Sequence, residues 1–373
     1  MKLLILVIAS LLSLSALGEE ADTSRSDNIK RFNEGQRCHK SAIAERNKKE
    51  ALRCAESSLE AGKSLFEPGS KNIAALTYNY GVALRSTDAS SSVVKKEIKN
   101  VFTEALTLYE SLYGENSVDL VDLLIDLGHA ENKVKRTGMN DYVKSSSYRR
   151  ALEILSSNYG DDSLEYAQAQ LAISMEVLDG SLTLNALVFS SKYAKGAYEI
   201  ISRKLGPTSV GATLASFQLG RNNMTQKKYS KAIPFLEKAL SNPSVAQYAH
   251  GFLIEAFEQI GQRDSATFHA QALGKLNPNR QNQNYLPVFR KPPIYPRGAQ
   301  RSGINGYVII EVTVSREGLA IDPIVIEEKP VSKGFGKAAL EASNTLRYVP
   351  QFVDGEAVEV PGVLYKYTFQ MAR

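Results

Sequence analysis

Residues 293–314 read PIYPRGAQRSGINGYVIIEVTV and decide the fold of the last quarter of the chain. The prolines on either side of Tyr295 predict an extended segment, and Pro296 suits the first turn of a short helix that Gly303 ends. After Gly303, β-branched residues on alternate positions predict a strand. A mixed α/β domain is therefore expected from residue 293 onward.

The sequence that follows predicts two more strands and one helix. After a turn, a second strand is expected around residues 320–326. Residues 335–346 have helical periodicity and several good helix formers, and Arg347-Tyr348-Val349-Pro350 breaks that helix. A turn containing Gly355 precedes the final alternating strand, residues 360–369. The predicted order of elements is β-β-α-β.

This order, with these residues in place, resembles the C-terminal domain of the TonB family. The family pattern combines Tyr-Pro and a nearby Ala, Gly-x-x-Gly before a Val-rich strand, and a small apolar helix ending in Arg-aromatic-x-Pro. The matching residues are Tyr295, Pro296, Ala299, Gly303, Gly306, Phe335, Ala338, Ala339, Arg347, Tyr348, Val349 and Pro350. The resemblance covers residues 293–373 only, and it implies a small α+β domain with an antiparallel three-stranded sheet and one helix.

The resemblance also implies a binding role. In the TonB family this domain pairs with an extended peptide, the TonB box, of outer-membrane transporters, and passes on energy from an inner-membrane motor. The Tyr-Pro segment lies near the bound peptide in the family, and the last strand would supply an open edge for strand addition. The implied peptide-binding residues are Pro293, Tyr295, Pro296, Val360, Leu364, Tyr365, Tyr367 and Phe369. The structural alternative is that Leu364 and its period-two neighbours are mostly core, and that Tyr295 only packs against the sheet.

The N-terminal residues predict an export signal. Lys2 precedes an apolar run from Leu3 to Leu17, and Ala16-x-Gly18 is a small-x-small cleavage site, so we expect removal of residues 1–18. A helix of about fifteen residues spans roughly 22 Å, less than a hydrocarbon core of about 30 Å. The sequence therefore favours a periplasmic protein. The alternative is an uncleaved run that anchors the chain in the inner membrane.

Export changes the interpretation of the two cysteines, Cys38 and Cys54. In an oxidising compartment an isolated pair is more often a disulfide than two free thiols. Two helices that pack as a hairpin could bring the Cα atoms within the roughly 4.4–6.8 Å that a bridge needs. We therefore predict a Cys38–Cys54 disulfide, with two unpaired core cysteines as the alternative. A metal site is not predicted, because only His39 is adjacent.

Residues 19–276 contain an internal repeat. A Ser that can cap a helix recurs at Ser70, Ser117, Ser163 and Ser209, with spacings of 47, 46 and 46 residues. A fixed period in this range is typical of repeat arrays, in which each hairpin buries its apolar face against a neighbour. The segment resembles tetratricopeptide (TPR) repeats of the longer, kinesin-light-chain-like kind. The expected fold class is an α-solenoid of about five or six TPR-like helical hairpins, followed by the α+β domain.

Small residues inside each copy indicate how the helices pair. Gly81, Gly128 and Gly220 lie eleven residues after the Ser of their copies, where we expect a second backbone to approach closely. Near the end of the array, Pro243 is expected to close the second helix of its hairpin. Arrays of this kind are usually binding scaffolds, so we expect a protein partner, which the sequence does not identify.

Residues 277–292 are predicted to link the two parts of the chain. Their first half is polar, poor in apolar residues and rich in helix breakers. The expected organisation is a signal peptide at 1–18, a TPR-like domain at 19–276, this linker, and a TonB-like domain at 293–373. Proteolysis in the linker is expected to release a helical piece and a mixed α/β piece.

The composition and motifs argue against several classes of function. The net charge of +5 is modest, and no basic stripe with aromatic residues is present, so a nucleic-acid partner is not expected. The four histidines lack metal-ligand spacing, no nucleophile elbow occurs, and Gly334-Phe335-Gly336-Lys337 lacks the context of a phosphate loop. We therefore expect no enzyme activity, cofactor, metal or small-molecule substrate, and protein partners only.

Two departures from the family pattern leave two functions open. TonB-family members that drive transport keep an N-terminal transmembrane helix with a His for the motor contact, and a long Pro-rich spacer. Here the apolar run has no His, and helical repeats replace the spacer. One hypothesis is a periplasmic TonB-like protein, accessory to TonB-dependent transport, whose C-terminal domain binds a receptor peptide and whose repeats dock another protein. The other is an envelope scaffold that is not linked to transport.

Overall fold

The computed structural model describes residues 19–87, 91–134, 145–177, 184–276 and 285–371. The predicted signal peptide and the first half of the predicted linker lie outside these ranges. Within them, no helix combines the length and apolar character needed to cross a membrane. The chain divides into two compact units, residues 1–204 and 205–373.

The described part of the first unit is helical. Its helices are α1 (Glu19–Ala44), α2 (Lys48–Leu65), α3 (Lys71–Ser86), α4 (Ser92–Tyr113), α5 (Val121–Val134), α6 (Ser146–Tyr159), α7 (Leu164–Glu176) and α8 (Leu184–Leu205). From α1 to α7 each helix packs against the next one in sequence, and α5 also contacts α7. This arrangement of successive hairpins is the one that the repeat predicts.

The recurring serines begin the first helix of each hairpin. The Ser70 and Ser163 hydroxyls accept the N–H groups of the third residue beyond them, and Ser117 caps a short 3₁₀ turn before α5. Ser209 also precedes a helix, but its side chain makes no capping bond. A glycine with φ between 82° and 89° lies in the turn before each serine, where a side chain would strain the backbone: Gly69, Gly114, Gly160 and Gly206.

The small residues of the repeat do mark a close approach, but at Gly81 and Gly128 the neighbour differs from the prediction. A Cβ added to Gly81 would lie 2.8 Å from the Phe102 ring, and one added to Gly128 would lie 2.5 Å from the Tyr148 ring. At these two positions a large side chain of the paired helix stands where a backbone was expected. A Cβ added to Gly220 would lie 2.6 Å from the Leu236 side chain and 3.3 Å from its backbone nitrogen, so at this position the backbone does approach. Each glycine is a notch that receives this side chain, which is how the two helices of a hairpin come together.

A disulfide joins Cys38 of α1 to Cys54 of α2, with 5.7 Å between the Cα atoms. This is the predicted pairing. Beside it, the buried His39 ring contacts the Ala51 carbonyl through Nδ1 at 2.9 Å. Among the described residues, the only group of side chains close enough to hold a metal consists of the two cysteines and Glu50, and both sulfurs are already bonded to each other.

The second unit begins with four helices and continues into the C-terminal domain. The helices are α9 (Val210–Thr225), α10 (Tyr229–Ala239), α11 (Pro243–Gln259) and α12 (Arg263–Leu276). They too pack in sequence order. Pro243 corrects one expectation: it does not close α10 but lies in the first turn of α11, because Asn242 caps that helix and a first-turn proline needs no N–H partner. Helices α1 to α12 thus form six hairpins in the part of the chain described.

The C-terminal domain contains every predicted element and one unpredicted hairpin. Its elements are α13 (Arg297–Arg301), β1 (Gly306–Val314), β2 (Ala320–Lys329), α14 (Phe335–Ser343), β3 (Gln351–Val353), β4 (Glu356–Val358) and β5 (Val360–Phe369). An antiparallel three-stranded sheet has the order β2-β1-β5, which confirms the predicted sheet. The additional hairpin pairs β3 with β4.

The core of this domain lies between the sheet and α14. The alternate residues Val308, Ile310, Val312 and Val314 of β1 are at most 1% exposed. Helix α14 packs against β1 and β2 and buries Phe335 in the same cluster. In the order β2-β1-β5, strand β5 lies at one edge of the sheet, and no described strand pairs with its outer side.

Candidate functional site at the edge of strand β5

Strand β5 is an edge of the three-stranded sheet. One side pairs with β1 from Gly306↔Phe369 to Val314↔Val360, and no described strand lies on the other side. An antiparallel edge strand directs alternate N–H and C=O groups outward, unpaired. The edge can therefore accept the backbone of an added strand.

The side chains of β5 alternate between core and solvent. Tyr365, Tyr367 and Phe369 are at most 8% exposed, whereas Leu364 is 58% exposed. The alternative that placed Leu364 and its period-two neighbours in the core is wrong, because the aromatic residues occupy the inner face and set the phase of the strand. An added peptide would meet the β5 backbone beside these tyrosines, and of the residues predicted on this strand, Leu364 has the most exposed side chain.

Tyr295 packs against the end of β5. Its ring lies edge to face with Phe369 and Phe335, with centroid distances of 5.7 Å and 5.8 Å. Its hydroxyl donates to the Ile304 carbonyl at 2.7 Å. Because Tyr295 is only half-buried, one part of the ring anchors the Tyr-Pro segment and the other stays accessible.

The prolines beside Tyr295 differ in their surroundings. Pro296 caps α13 and lies against Gly334, where a Cβ would be 3.4 Å away. Pro293 is half-buried and precedes Ile294, which is 80% exposed. The structure thus brings Tyr295 together with Phe369 of β5. It gives no contact between Pro293 and the predicted β5 residues among the interactions described.

Asn305 secures the chain where β5 ends. Its side-chain oxygen accepts the Met371 backbone N–H at 3.1 Å and the Tyr295 hydroxyl at 3.3 Å. Asn305 lies between the two glycines of the Gly-x-x-Gly segment, and sequence reasoning did not single it out. The sequence feature that could have identified Asn305 is its position in a tight turn, where the Asn side chain commonly bonds to nearby backbone.

A cluster of tyrosines lies on the inner face of β5. The Arg290 guanidinium donates from Nη1 to the Tyr365 hydroxyl at 2.6 Å, and the Tyr365 and Tyr367 rings meet edge to face at 4.8 Å. Burial, with a smaller contribution from Tyr365, raises the pKa of Tyr348 and of Tyr367. The Tyr348 and Tyr367 hydroxyls therefore keep their protons, and their rings pack on the inner side of the strand.

The outer face of the sheet carries a charged cluster. Lys366 of β5 lies 4.1 Å above the Tyr307 ring of β1, and the Tyr307 hydroxyl donates to Glu327 of β2 at 3.0 Å. Hydrogen bonds from Lys329 and then Tyr307 lower the pKa of Glu327. Because this cluster spans all three strands, the open face of the sheet is polar beside Leu364.

Arg347 is buried and holds the domain to the preceding helices. Its Nε and Nη2 atoms donate to Oε1 of Glu258 in α11 at 2.8 Å and 2.5 Å, and Nη1 donates to Thr267 in α12 at 3.0 Å. Its backbone forms an isolated bridge with Phe289. Phe289 joins Val349 and residues of α11 and α12 in one apolar cluster. The last repeat hairpin and the C-terminal domain therefore share a packed core.

The fold also brings together two histidines that the sequence separates. His250 of α11 and His269 of α12 are buried, with 3.0 Å between their Nδ1 atoms. Burial and the neighbouring His250 lower the pKa of His269 to about 4. Two neutral rings that share one hydrogen bond fit a packing role.

Comparison with known proteins gives a match in the C-terminal domain. Residues 291–371 match the family described as "TonB_C: Gram-negative bacterial TonB protein C-terminal". Protein TonB of Pseudomonas aeruginosa is 33% identical over 85 residues, which are 23% of this chain and 23% of that protein. The chain thus spans less than a quarter of the relative that it matches, and the likeness concerns this domain alone.

Solved structures are similar to a larger part of the chain. BtubC (BKLC) from P. vanneervenii has a TM-score of 0.43 and 16% identity, covering 72% of this chain and 97% of that chain. PilF of Pseudomonas aeruginosa has a TM-score of 0.39 and 14% identity, covering 70% and 95%. Both TM-scores are low, so the helical hairpins of this chain are assigned from their own packing and not from these structures.

Proposed function

We propose that this chain is an exported, periplasmic TonB-like protein whose C-terminal domain binds an extended peptide of an outer-membrane transporter by strand addition at β5. In this proposal it is accessory to TonB-dependent transport, and its helical repeats dock a second protein. It has no enzymatic role, because TonB-like and TPR-like domains are protein-interaction modules.

The unpaired edge of β5 is the observation that carries this proposal. The sequence of the domain matches the TonB C-terminal family, and its fold leaves this edge open over the residues that the resemblance points to. Main-chain hydrogen bonds would supply most of the affinity, so many peptide side chains would be tolerated. The exposed Leu364 and the accessible part of Tyr295 would add side-chain contacts.

An NMR titration of the full-length protein tests the proposal. Isotope-labelled protein would be titrated with TonB-box peptides from receptors of the same organism. We expect weak binding, with amide shifts concentrated in β5 and near Tyr295. Peptides with a proline at a pairing position should fail to shift β5, because proline cannot donate the needed N–H. Strand β2 is the internal control, since it is the other edge of the same sheet and should show no comparable shifts.

Two variants separate binding from packing at Tyr295. Tyr295→Phe keeps both edge-to-face ring contacts and loses only the hydroxyl contacts with the Ile304 carbonyl and the Asn305 side chain. Tyr295→Ala removes the whole ring. We expect Tyr295→Ala to weaken peptide binding more than it lowers the melting temperature, and Tyr295→Phe to bind nearly as well as the native protein. Equal losses of binding in both variants would contradict a contact between the ring and the peptide.

The envelope scaffold is the second candidate function. It is favoured by the proportion of the chain given to helical hairpins, which run from α1 to α12. If no β5 amide shifts at millimolar peptide, the transport-linked role is rejected and this second function stands.

A further inference from the structure

The two sulfurs of the Cys38–Cys54 disulfide differ in their access to solvent. Cys54 of α2 is 1% exposed, whereas Cys38 of α1 is half-buried. In thiol–disulfide exchange a thiolate attacks one sulfur of the bond, and access helps to decide which sulfur is attacked. An incoming thiolate would therefore attack Cys38, and Cys54 would be the leaving group.

An arginine and a carboxylate of α2 lie beside both sulfurs. Nη2 of Arg53 is 3.6 Å from Sγ of Cys38 and 3.6 Å from Sγ of Cys54. Oε1 of Glu50 is 3.3 Å from the first sulfur and 3.6 Å from the second. A disulfide sulfur has neither a charge nor a proton, so the closed bond needs neither group. A thiolate can accept from the guanidinium and a thiol can donate to the carboxylate, so these surroundings fit both products of reduction.

Glu50 also holds the Arg53 guanidinium in place. Nε of Arg53 donates to Oε2 at 3.0 Å, and Nη2 donates to Oε1 at 2.5 Å. The two residues are three apart on α2, a spacing that places them on the same side of the helix. The guanidinium keeps its proton at every pH at which proteins fold, so a thiolate that forms at Cys54 always has this donor beside it. A leaving thiolate that is stabilised in this way departs faster.

The packing of α1 against α2 does not depend on the sulfurs alone. The Phe32 ring of α1 meets the Phe66 ring, directly after α2, edge to face at 5.3 Å. The His39 ring contacts the Ala51 carbonyl on the side of the disulfide. These contacts remain when the bond between the sulfurs opens. The hairpin can therefore stay folded as the dithiol, and reduction need not wait for unfolding.

We propose that Cys38–Cys54 is a thiol-exchange site, opened by a dithiol reductant that attacks Sγ of Cys38. A thiolate of the reductant bonds to this sulfur, and the original bond breaks with its electron pair on Cys54, which takes a proton from water. The second thiolate of the reductant then displaces Cys38 and closes the disulfide of the reductant. Two electrons and two protons thereby reach the protein. This inference goes beyond strand addition at β5 and does not rest on it.

Glutathione, a monothiol, identifies the sulfur that is attacked. Native full-length protein would be incubated briefly with reduced glutathione, then quenched in acid and alkylated with N-ethylmaleimide in denaturant. Peptide mass spectrometry locates the two adducts. We expect glutathione on Cys38 and N-ethylmaleimide on Cys54, in about tenfold excess over the opposite pattern, because Cys38 is the accessible sulfur.

The rate of reduction tests the contribution of Arg53. Dithiothreitol is the dithiol probe, and the same quench follows the appearance of free thiols in native buffer. Arg53→Met should slow reduction about threefold, and Arg53→Lys, which keeps a positive charge, should slow it less.

The matched control is Arg149→Met. Arg149 is 73% exposed and paired with Glu153 on its own helix, as Arg53 is 65% exposed and paired with Glu50. This control removes the same charge at a distance from the disulfide, so it should keep the native rate. Equal melting temperatures of the three arginine variants would exclude unfolding as the cause of a slower reaction.

Three outcomes would overturn the thiol-exchange proposal: reduction only at the rate of global unfolding, adducts divided equally between the two cysteines, or equal rates for Arg53→Met and Arg149→Met. The first would show that the disulfide is structural only. None of them bears on the NMR titration at β5, which involves the other compact unit. Failure of this proposal and failure of the proposed function are therefore distinguishable.

Discussion

Arg347 shows how one buried charge can join two parts of a molecule. The side chain is 1% exposed, and its partner Glu258 is separated from it by 89 residues in sequence. Two hydrogen bonds to one carboxylate oxygen, one to Thr267 and one to the Glu317 carbonyl satisfy the guanidinium. In the sequence, Arg347 stood out as the end of a helix and as part of the family pattern, but nothing in α11 marks Glu258 as its partner.

Removal of the Arg347 side chain should destabilise the fold. Arg347→Met leaves the Glu258 carboxylate buried without its cation, and we expect a loss of about 3–5 kcal/mol in the free energy of unfolding. The double variant Arg347→Met/Glu258→Met should lose less, since no uncompensated charge remains. Urea unfolding of each variant, monitored by hydrogen exchange in α11 and α14, measures the change in the free energy of unfolding. The exposed pair Arg203–Asp162 is the control, where Arg203→Met should leave the free energy of unfolding nearly unchanged, because water screens an exposed ion pair.

The His250–His269 pair predicts acid sensitivity of the second unit. An unfolded His269 has its ordinary pKa of 6.5, whereas burial holds the folded value at about 4. Between these values the unfolded chain binds the additional proton, so stability is full above pH 6.5 and falls toward pH 4. NMR titration of the ring should show a His269 midpoint well below that of a free histidine. The double variant His250→Leu/His269→Leu should flatten the loss of stability between pH 7 and pH 5; an ordinary midpoint would disprove the prediction.

At the scale of the element, the notch glycines distinguish packing from helix propensity. Gly128→Ala should improve the propensity of α5 but force a methyl group into the Tyr148 ring, so we expect a net loss of about 1–3 kcal/mol. Gly251 in α11 is the matched control, since a Cβ there meets nothing within 4 Å. Gly251→Ala should stabilise by up to about 1 kcal/mol. Thermal unfolding compares the stability of the two variants. A stabilised Gly128→Ala would contradict the claim that Gly128 makes room for the Tyr148 ring.

The elements that recur, or that are long, were the ones the sequence could predict. The capping serines repeat at a nearly constant period, and β5 alternates between buried and exposed residues from Val363 to Phe369; its predicted bounds, residues 360–369, are the observed ones. The β3–β4 hairpin was missed because its strands have three residues each, too few for a pattern, although Asp354-Gly355 is a typical hairpin turn.

At the scale of the whole molecule, the packing of the second unit changes what proteolysis should yield. Composition predicts a cut within residues 277–284, which contain Arg280. The Arg347–Glu258 pair and the shared apolar cluster lead us to expect that the two pieces remain associated after the cut. Trypsin-treated protein should elute as one species on gel filtration and separate only in denaturant. Separate elution without denaturant would show that these contacts are too weak to hold the domain.

The same packing predicts the smallest fragment that folds. Residues 205–373 include Glu258, Thr267 and the apolar residues of α11 and α12 that cover Phe289 and Val349. This fragment should unfold cooperatively, whereas residues 285–373 alone would expose the Arg347 side chain and the apolar surface around it. Circular dichroism during thermal unfolding of both fragments checks this, and equal cooperativity in the shorter one would contradict it.

The position of β5 also determines how the domain would respond to mechanical force. A peptide paired along β5 and pulled along the strand axis would place all its hydrogen bonds in shear, so the bonds would share the tension and break together. The same peptide pulled away from the sheet edge would lose its bonds one at a time, at much lower force. Tension received by β5 would pass to β1 at the centre of the sheet, and Arg347 would carry it onward to α11. An edge that binds a peptide weakly at equilibrium can therefore still resist a large force when the pull is along the strand axis.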